Sequence, residues 1–144
     1  MMPHMSTTKS PRVDLNVLLL ANDQVLVETT RSGIQSNVIE QLGLKLGLTS
    51  MAVGAYLGIS RASVTRKLKN HKTLDLVASD RVVRYAQLWK KALHLWRSEE
   101  GAREWLNSPS HAFRGETPLQ HAVTEVGSRQ VEDLMGQLAY GIAT

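Results

Sequence analysis

The sequence predicts an all-α fold, a helix-turn-helix N-terminal domain joined by a long helix to a small helical C-terminal domain. Three observations predict it. Apolar residues recur at spacings of three and four through most of the 144 residues, which lines them along one face of a helix. Ser, Thr, Asp and Gly punctuate these stretches where helices need a side-chain cap or a left-handed residue to stop. The stretch Leu48 to Leu68, LTSMAVGAYLGISRASVTRKL, parses as a short helix, a tight turn and a second helix. The expected divisions are a flexible tail over 1–12, a helix-turn-helix domain over 13–78, a connecting helix over 79–97 and a C-terminal domain over 98–144.

The first twelve residues, MMPHMSTTKSPR, are polar, hold two prolines and carry no helical period. From Val13 to Leu20 the run VDLNVLLL suits a buried helix or a strand, and helix is preferred. Asn22 or Asp23 opens DQVLVETTRS, which closes at Gly33. A helix from Ser36 to about Gly47 presents Val38, Ile39, Leu42, Leu44 and Leu46. Thr49 then caps a helix in which Met51, Val53 and Leu57 alternate with the small residues Ala52, Gly54 and Ala55, and Gly58 breaks it. Ser60 caps the next helix, where Ala62, Val64, Thr65 and Leu68 offer a partly apolar face and Arg61, Ser63, Arg66, Lys67 and Lys69 a polar one. With Gly54, Gly58, Ile59 and Val64 so placed, the stretch resembles the helix-turn-helix of the Xre/Cro class. Lys67 stands where an apolar residue is expected and Leu68 follows one place late, so the register of the second helix stays open.

Ser79 is the expected cap of a long helix from Asp80 to about Arg97, with Val82, Ala86, Trp89, Leu93 and Trp96 inward. Asp80 in its first turn and Lys90, Lys91 and Arg97 toward its end suit the helix dipole. Trp89, Trp96 and Trp105 read as core. A helix from Glu99 to Leu106 follows, then a break at Ser108-Pro109, a link through Phe113 and Gly115, and a helical turn opened by Thr117-Pro118. The last helix is expected from Ser128 to about Tyr140, with Val131, Leu134, Met135, Leu138 and Ile142 at i, i+3, i+4, i+7 and i+11.

Charge divides the chain. Residues 41–97 hold 11 Lys and Arg against 2 acids, whereas residues 98–144 hold 3 against 7. The basic middle suits a polyanion and the acidic end suits a protein. There is no cysteine, His4, His71, His94, His111 and His121 show no metal spacing, and no glycine-rich phosphate loop or catalytic Ser-His-Asp arrangement is present. These absences argue against an enzyme and leave no cofactor or metal to expect. No apolar run approaches a membrane span and the N-terminus lacks a signal-peptide layout, so a cytoplasmic protein is expected.

Ala102, Trp105-Leu106, Pro109, Gly115, Thr117-Pro118, Thr124-Glu125, Gly127, Val131, Leu138 and Tyr140-Gly141 resemble the C-terminal domain shared by the Xre, ParS and MbcA antitoxins. Ser79-Asp80-Arg81, with Arg84 and Ala92, is similar to that family's link from the helix-turn-helix, and the likeness runs over residues 22–144. Phe113 departs from it, standing where the family usually has an aliphatic residue.

The resemblance implies the antitoxin of a type II pair, which binds a RES-domain toxin that destroys NAD and sets its chain end at the mouth of the NAD site. It places the toxin contact on Leu134, Leu138, Tyr140, Gly141 and Ile142, gives Gly115, Pro118 and Gly127 backbone-shaping roles, and puts Trp105 and Leu106 in the core. It further implies repression of the pair's own operon by a homodimer within a hetero-oligomeric complex. On operator DNA, Arg66, Lys67, Lys69 and Lys72 are the phosphate contacts, while Arg61, Ser63 and Thr65 are the candidates for base edges. The alternative reading is a stand-alone helix-turn-helix regulator with a C-terminal sensing or dimerisation domain.

Overall fold

The computed structural model describes residues 14–141. The tail expected over 1–12, Val13 at the head of the expected helix-turn-helix domain, and Ile142 lie outside the described residues. The described chain is helical, as expected. Its order is α1 (Leu15–Leu20), α2 (Asp23–Ser32), α3 (Asn37–Leu46), α4 (Ser50–Leu57), α5 (Arg61–Lys69), α6 (Leu76–Trp96), α7 (Glu99–Leu106), a 3-10 turn (His111–Phe113), α8 (Pro118–His121) and α9 (Glu125–Ala139).

Most of the helices open on a side chain that accepts a first-turn N–H. Asp14, Asn22, Thr49, Ser60, Asp75, Ser98, Thr117 and Thr124 each take an amide three residues on, relieving one of the orphan donors at a helix start. The segment after Val13 is thus a helix and not a strand. At α3 the pattern fails, because Ser36 makes no such cap. Its hydroxyl instead donates to the Lys67 carbonyl at 2.9 Å, and its amide donates to the Lys72 carbonyl at 3.0 Å. These bonds, with a bridge between Gln35 and Thr73, tie the α2–α3 link to the α5–α6 link.

Three sequence expectations about helix starts and the buried face of α3 need correction. The long helix begins at Leu76 under an Asp75 cap, not at Asp80 under Ser79. Ser79 is buried one turn inside, where its hydroxyl accepts from the Ile34 amide at 3.0 Å, and Asp80, beyond the first turn, pairs instead with Arg84 at 3.8 Å. The last helix begins at Glu125 under Thr124, so Ser128 lies buried within its early turns. On α3, Val38, Ile39, Leu42 and Leu46 are buried but Leu44 is 78 % exposed, since it falls on the opposite side of a helix with 3.6 residues per turn.

One continuous core runs from Leu15 and Leu18 on α1 to Val131 and Met135 on α9. Helix α6 passes through it and packs on α1, α2, α3, α4, α7 and α9. Tyr85, Leu88 and Trp89 of α6 are fully buried. Trp89 takes the core place expected of it, with the Arg103 guanidinium 5.8 Å from its ring centre. Trp105 packs half-buried against the core, whereas Trp96 does not join it. They pair at 6.3 Å near the surface, Trp96 being 42 % exposed and Trp105 half-buried. Cross-links at the margins seal the packing: Asn107 Nδ2 donates to the Leu46 carbonyl at 2.8 Å, and Arg103 Nε donates to the Lys45 carbonyl at 2.8 Å.

Candidate functional site

The first candidate surface is the α4–turn–α5 unit. Gly58 takes φ +77°, a left-handed conformation that an L side chain adopts only at a cost, and its N–H caps the carbonyls of Gly54 and Ala55. Gly54 serves a different need, because a Cβ there would overlap a Val64 methyl. The two helices therefore cross with almost no space between them, and Val64 is fully buried.

That crossing settles the register of α5. Val64 and Leu68 pack inward, Lys67 and Ser63 lie half-buried on the flank, and Arg61, Ala62, Thr65, Arg66 and Lys69 are exposed. At 100° per residue these five share a sector of roughly 140°. Ala62 and Thr65, grouped by sequence with Val64 and Leu68 on a partly apolar face, are thus on the open side. Of the residues predicted for DNA, the structure gathers Arg61, Thr65, Arg66 and Lys69 on one face. Ser63 holds Arg66 in place by accepting from its guanidinium at 3.1 Å. Lys72 is exposed in the link beyond α5. Lys45, on α3, pairs with Glu99 at 3.5 Å.

Among the described residues no carboxylate pairs with Arg61, Arg66, Lys67, Lys69 or Lys72. Their charge is uncompensated, which suits a polyanion more than a folded neighbour. Sequence reasoning missed Arg81, whose guanidinium lies over Gly58 at the turn, because only the fold brings α6 there.

The second candidate surface is the far end of α9. Val131 and Met135 are buried, Leu134 and Leu138 are half-buried, and Tyr140 is 84 % exposed. Gly141 follows, exposed, with φ +70°. The apolar stripe is thus anchored in the core through Val131 and Met135, and Tyr140 and Gly141 stand exposed beyond the helix. A capping box starts α8, in which Thr117 Oγ1 accepts from the Gln120 amide at 3.1 Å and Gln120 Oε1 accepts from the Thr117 amide at 2.9 Å. His121 stacks on Phe113 with ring centres 4.2 Å apart. Its Nδ1 lies 2.9 Å from Glu116 and its Nε2 lies 2.6 Å from Gln130. The Glu116 and Gln130 hydrogen bonds hold its pKa above the ordinary histidine value, outweighing the opposing effect of burial.

Two tyrosines link α4 and α6 to α8. Tyr85 OH donates to the Leu119 carbonyl at 3.1 Å, and the Tyr56 and Tyr85 rings meet at 5.5 Å. Burial pushes both phenols above their usual range, while the polar Thr117 hydroxyl pulls Tyr56 partly back. Among the described residues no group of three or more His, Cys, Asp or Glu side chains is placed to hold a metal ion, and no helix is long and apolar enough to cross a membrane.

Comparison with known proteins adds two matches along the chain. Residues 25–87 match the antitoxin Xre-like helix-turn-helix domain, and residues 91–141 match the antitoxin Xre/MbcA/ParS C-terminal toxin-binding domain. The chain is 26 % identical over 119 residues to Antitoxin Xre of Yersinia enterocolitica serotype O:8 / biotype 1B, covering 82 % of this chain and 80 % of that protein. It is 32 % identical over 75 residues to Antitoxin Xre of Pseudomonas putida strain KT2440, covering 52 % of this chain and 47 % of that protein.

Proposed function

The chain belongs to the Xre-type antitoxins, and from that premise we propose that it neutralises an NAD-degrading RES-domain toxin by setting its C-terminal segment in the mouth of the toxin's active site. The observation that carries the reading is Tyr140, 84 % exposed at the end of a helix whose Val131 and Met135 are locked in the core. A rigid base with a free aromatic tip loses little conformational freedom on docking, and an aromatic is the usual anchor of a concave pocket. Leu134, Leu138, Gly141 and Ile142 complete the contact.

At the other end the protein represses its own operon. Two copies set their α5 helices in successive major grooves, about 10 base pairs apart. Arg61 and Thr65 face base edges, and Arg66, Lys69 and Lys72 face phosphates. Ser63, on the flank, steadies Arg66 beside the base edges, and Lys67 adds a further phosphate contact. The protein acts in the cytoplasm by binding alone, without a cofactor. Co-expression with the adjacent toxin gene tests the reading: cellular NAD and growth are preserved by the full chain and lost with one lacking residues 140–144. If the full chain forms no complex with the toxin and NAD still falls, the reading is wrong.

A further inference from the structure

Helices α6 and α9 run in the same sense, since Arg84 bonds the Val123 carbonyl at 2.9 Å and, further along both, Lys91 pairs with Glu132. Between their C-terminal halves lies an open groove of about 890 Å³ with Leu93, Leu95, Met135, Gly136 and Ala139 in its lining. Charged residues rim it on both sides, Lys90 on α6 and Asp133 on α9, and neither is ion-paired among the described residues.

We propose that this groove is a second toxin-docking site, receiving an apolar segment of the toxin that presents an acidic residue to Lys90 and a basic one to Asp133. The inference rests on the antitoxin reading above. Three observations carry it. Nine of the eleven residues lining the groove fall within 91–141, the stretch matched to the toxin-binding domain. Ala139 lines the groove and Tyr140 follows directly, so the groove is continuous with the proposed contact at the chain end.

The third observation is Gly136. It sits inside α9, where glycine costs roughly 0.5–1 kcal/mol relative to alanine, yet a Cβ built on it meets nothing within 4 Å. Nothing among the described residues requires glycine at that position. Its missing side chain leaves room for an occupant from outside, and a segment seated there would meet both walls of the same module. The toxin would then be gripped at two places, the tip at Tyr140 and the groove beside it, which multiplies the strength of either contact alone.

The test is calorimetric titration of the full chain with an inactivated form of the toxin encoded beside it. Gly136→Leu starts from a Cβ that meets nothing within 4 Å among the described residues and extends into the groove, and its gain in helix propensity is expected to keep the melting temperature at or above that of the parent protein. Its Kd for toxin rises about tenfold or more, while Gly136→Ala stays within about twofold. Toxin binding by Gly136→Leu at parental affinity overturns the proposal. If the same variant changes only the mass of the free chain in light scattering, the groove belongs to a contact between copies and the proposal is equally overturned. The underlying reading fails separately: the parent chain then shows no toxin binding at all. Loss of binding on removing residues 140–144, with Gly136→Leu unaffected, refutes the groove alone.

Discussion

The open face of α5 and the free end of α9 are both what remains after the core has taken its share of each helix, but they are left with different chemistry. On α5 the share taken is Val64 and Leu68, and the remainder is Arg61, Thr65, Arg66 and Lys69, whose cations pair with no carboxylate among the described residues. On α9 the share taken is Val131 and Met135, and the remainder is Leu138, Tyr140 and an apolar groove. Charge acts through ions in solution and weakens with salt, whereas apolar burial is nearly indifferent to it. One chain can therefore hold a nucleic acid at one end and a protein at the other with little competition between the two forces.

The largest effect is expected from a change that removes the distinction. Trp89 is fully buried in the core that supports both ends, and Trp89→Ala should cost roughly 3–5 kcal/mol. Denaturant unfolding should show a single transition for parent and variant, with operator and toxin binding failing together. Two separable transitions would show that the halves fold apart.

Sharpening the comparison calls for a change at one end only. Arg66→Ala with Lys69→Ala should weaken operator binding and reduce the slope of log K against log salt by about 2, leaving toxin affinity as it was. Gel shifts across a salt series give the slope. A slope that does not move would mean that these cations face something other than phosphates.

A smaller effect is expected at the junction. Tyr85→Phe removes the buried hydrogen bond to the Leu119 carbonyl and should cost about 1 kcal/mol, read from the denaturation midpoint. The smallest concerns pH. His121 binds its proton more tightly in the folded chain, so its contribution is fully present below about pH 6.5 and is lost as pH rises through the elevated folded value. The parent should lose stability over that range, and His121→Asn should flatten the profile there.

How much of this was legible in the sequence depended on whether the deciding contacts were local. Thr49, Gly58, Ser60 and Thr117 act on amides or carbonyls within a few residues, so the helix-turn-helix and the start of α8 could be read directly. Ser79 and Ser128 are equally good cap residues by type, and only the fold shows that both are buried inside helices. The exposed Leu76 and Val77 further disguised the true start of α6. The phase of α5 was hidden because Gly54 and Val64 set it, two residues on different helices. Tyr140 could be singled out beforehand, but the groove could not, since its walls lie some forty residues apart and Gly136 has meaning only once α6 stands beside it.

The most direct measurement is a pair of binding isotherms on the chain lacking residues 140–144, one with operator DNA and one with the toxin. The account predicts an operator curve that overlays that of the full chain and a toxin curve shifted to weaker binding by about two orders of magnitude, the scale of one buried aromatic anchor. An unshifted toxin curve would contradict it.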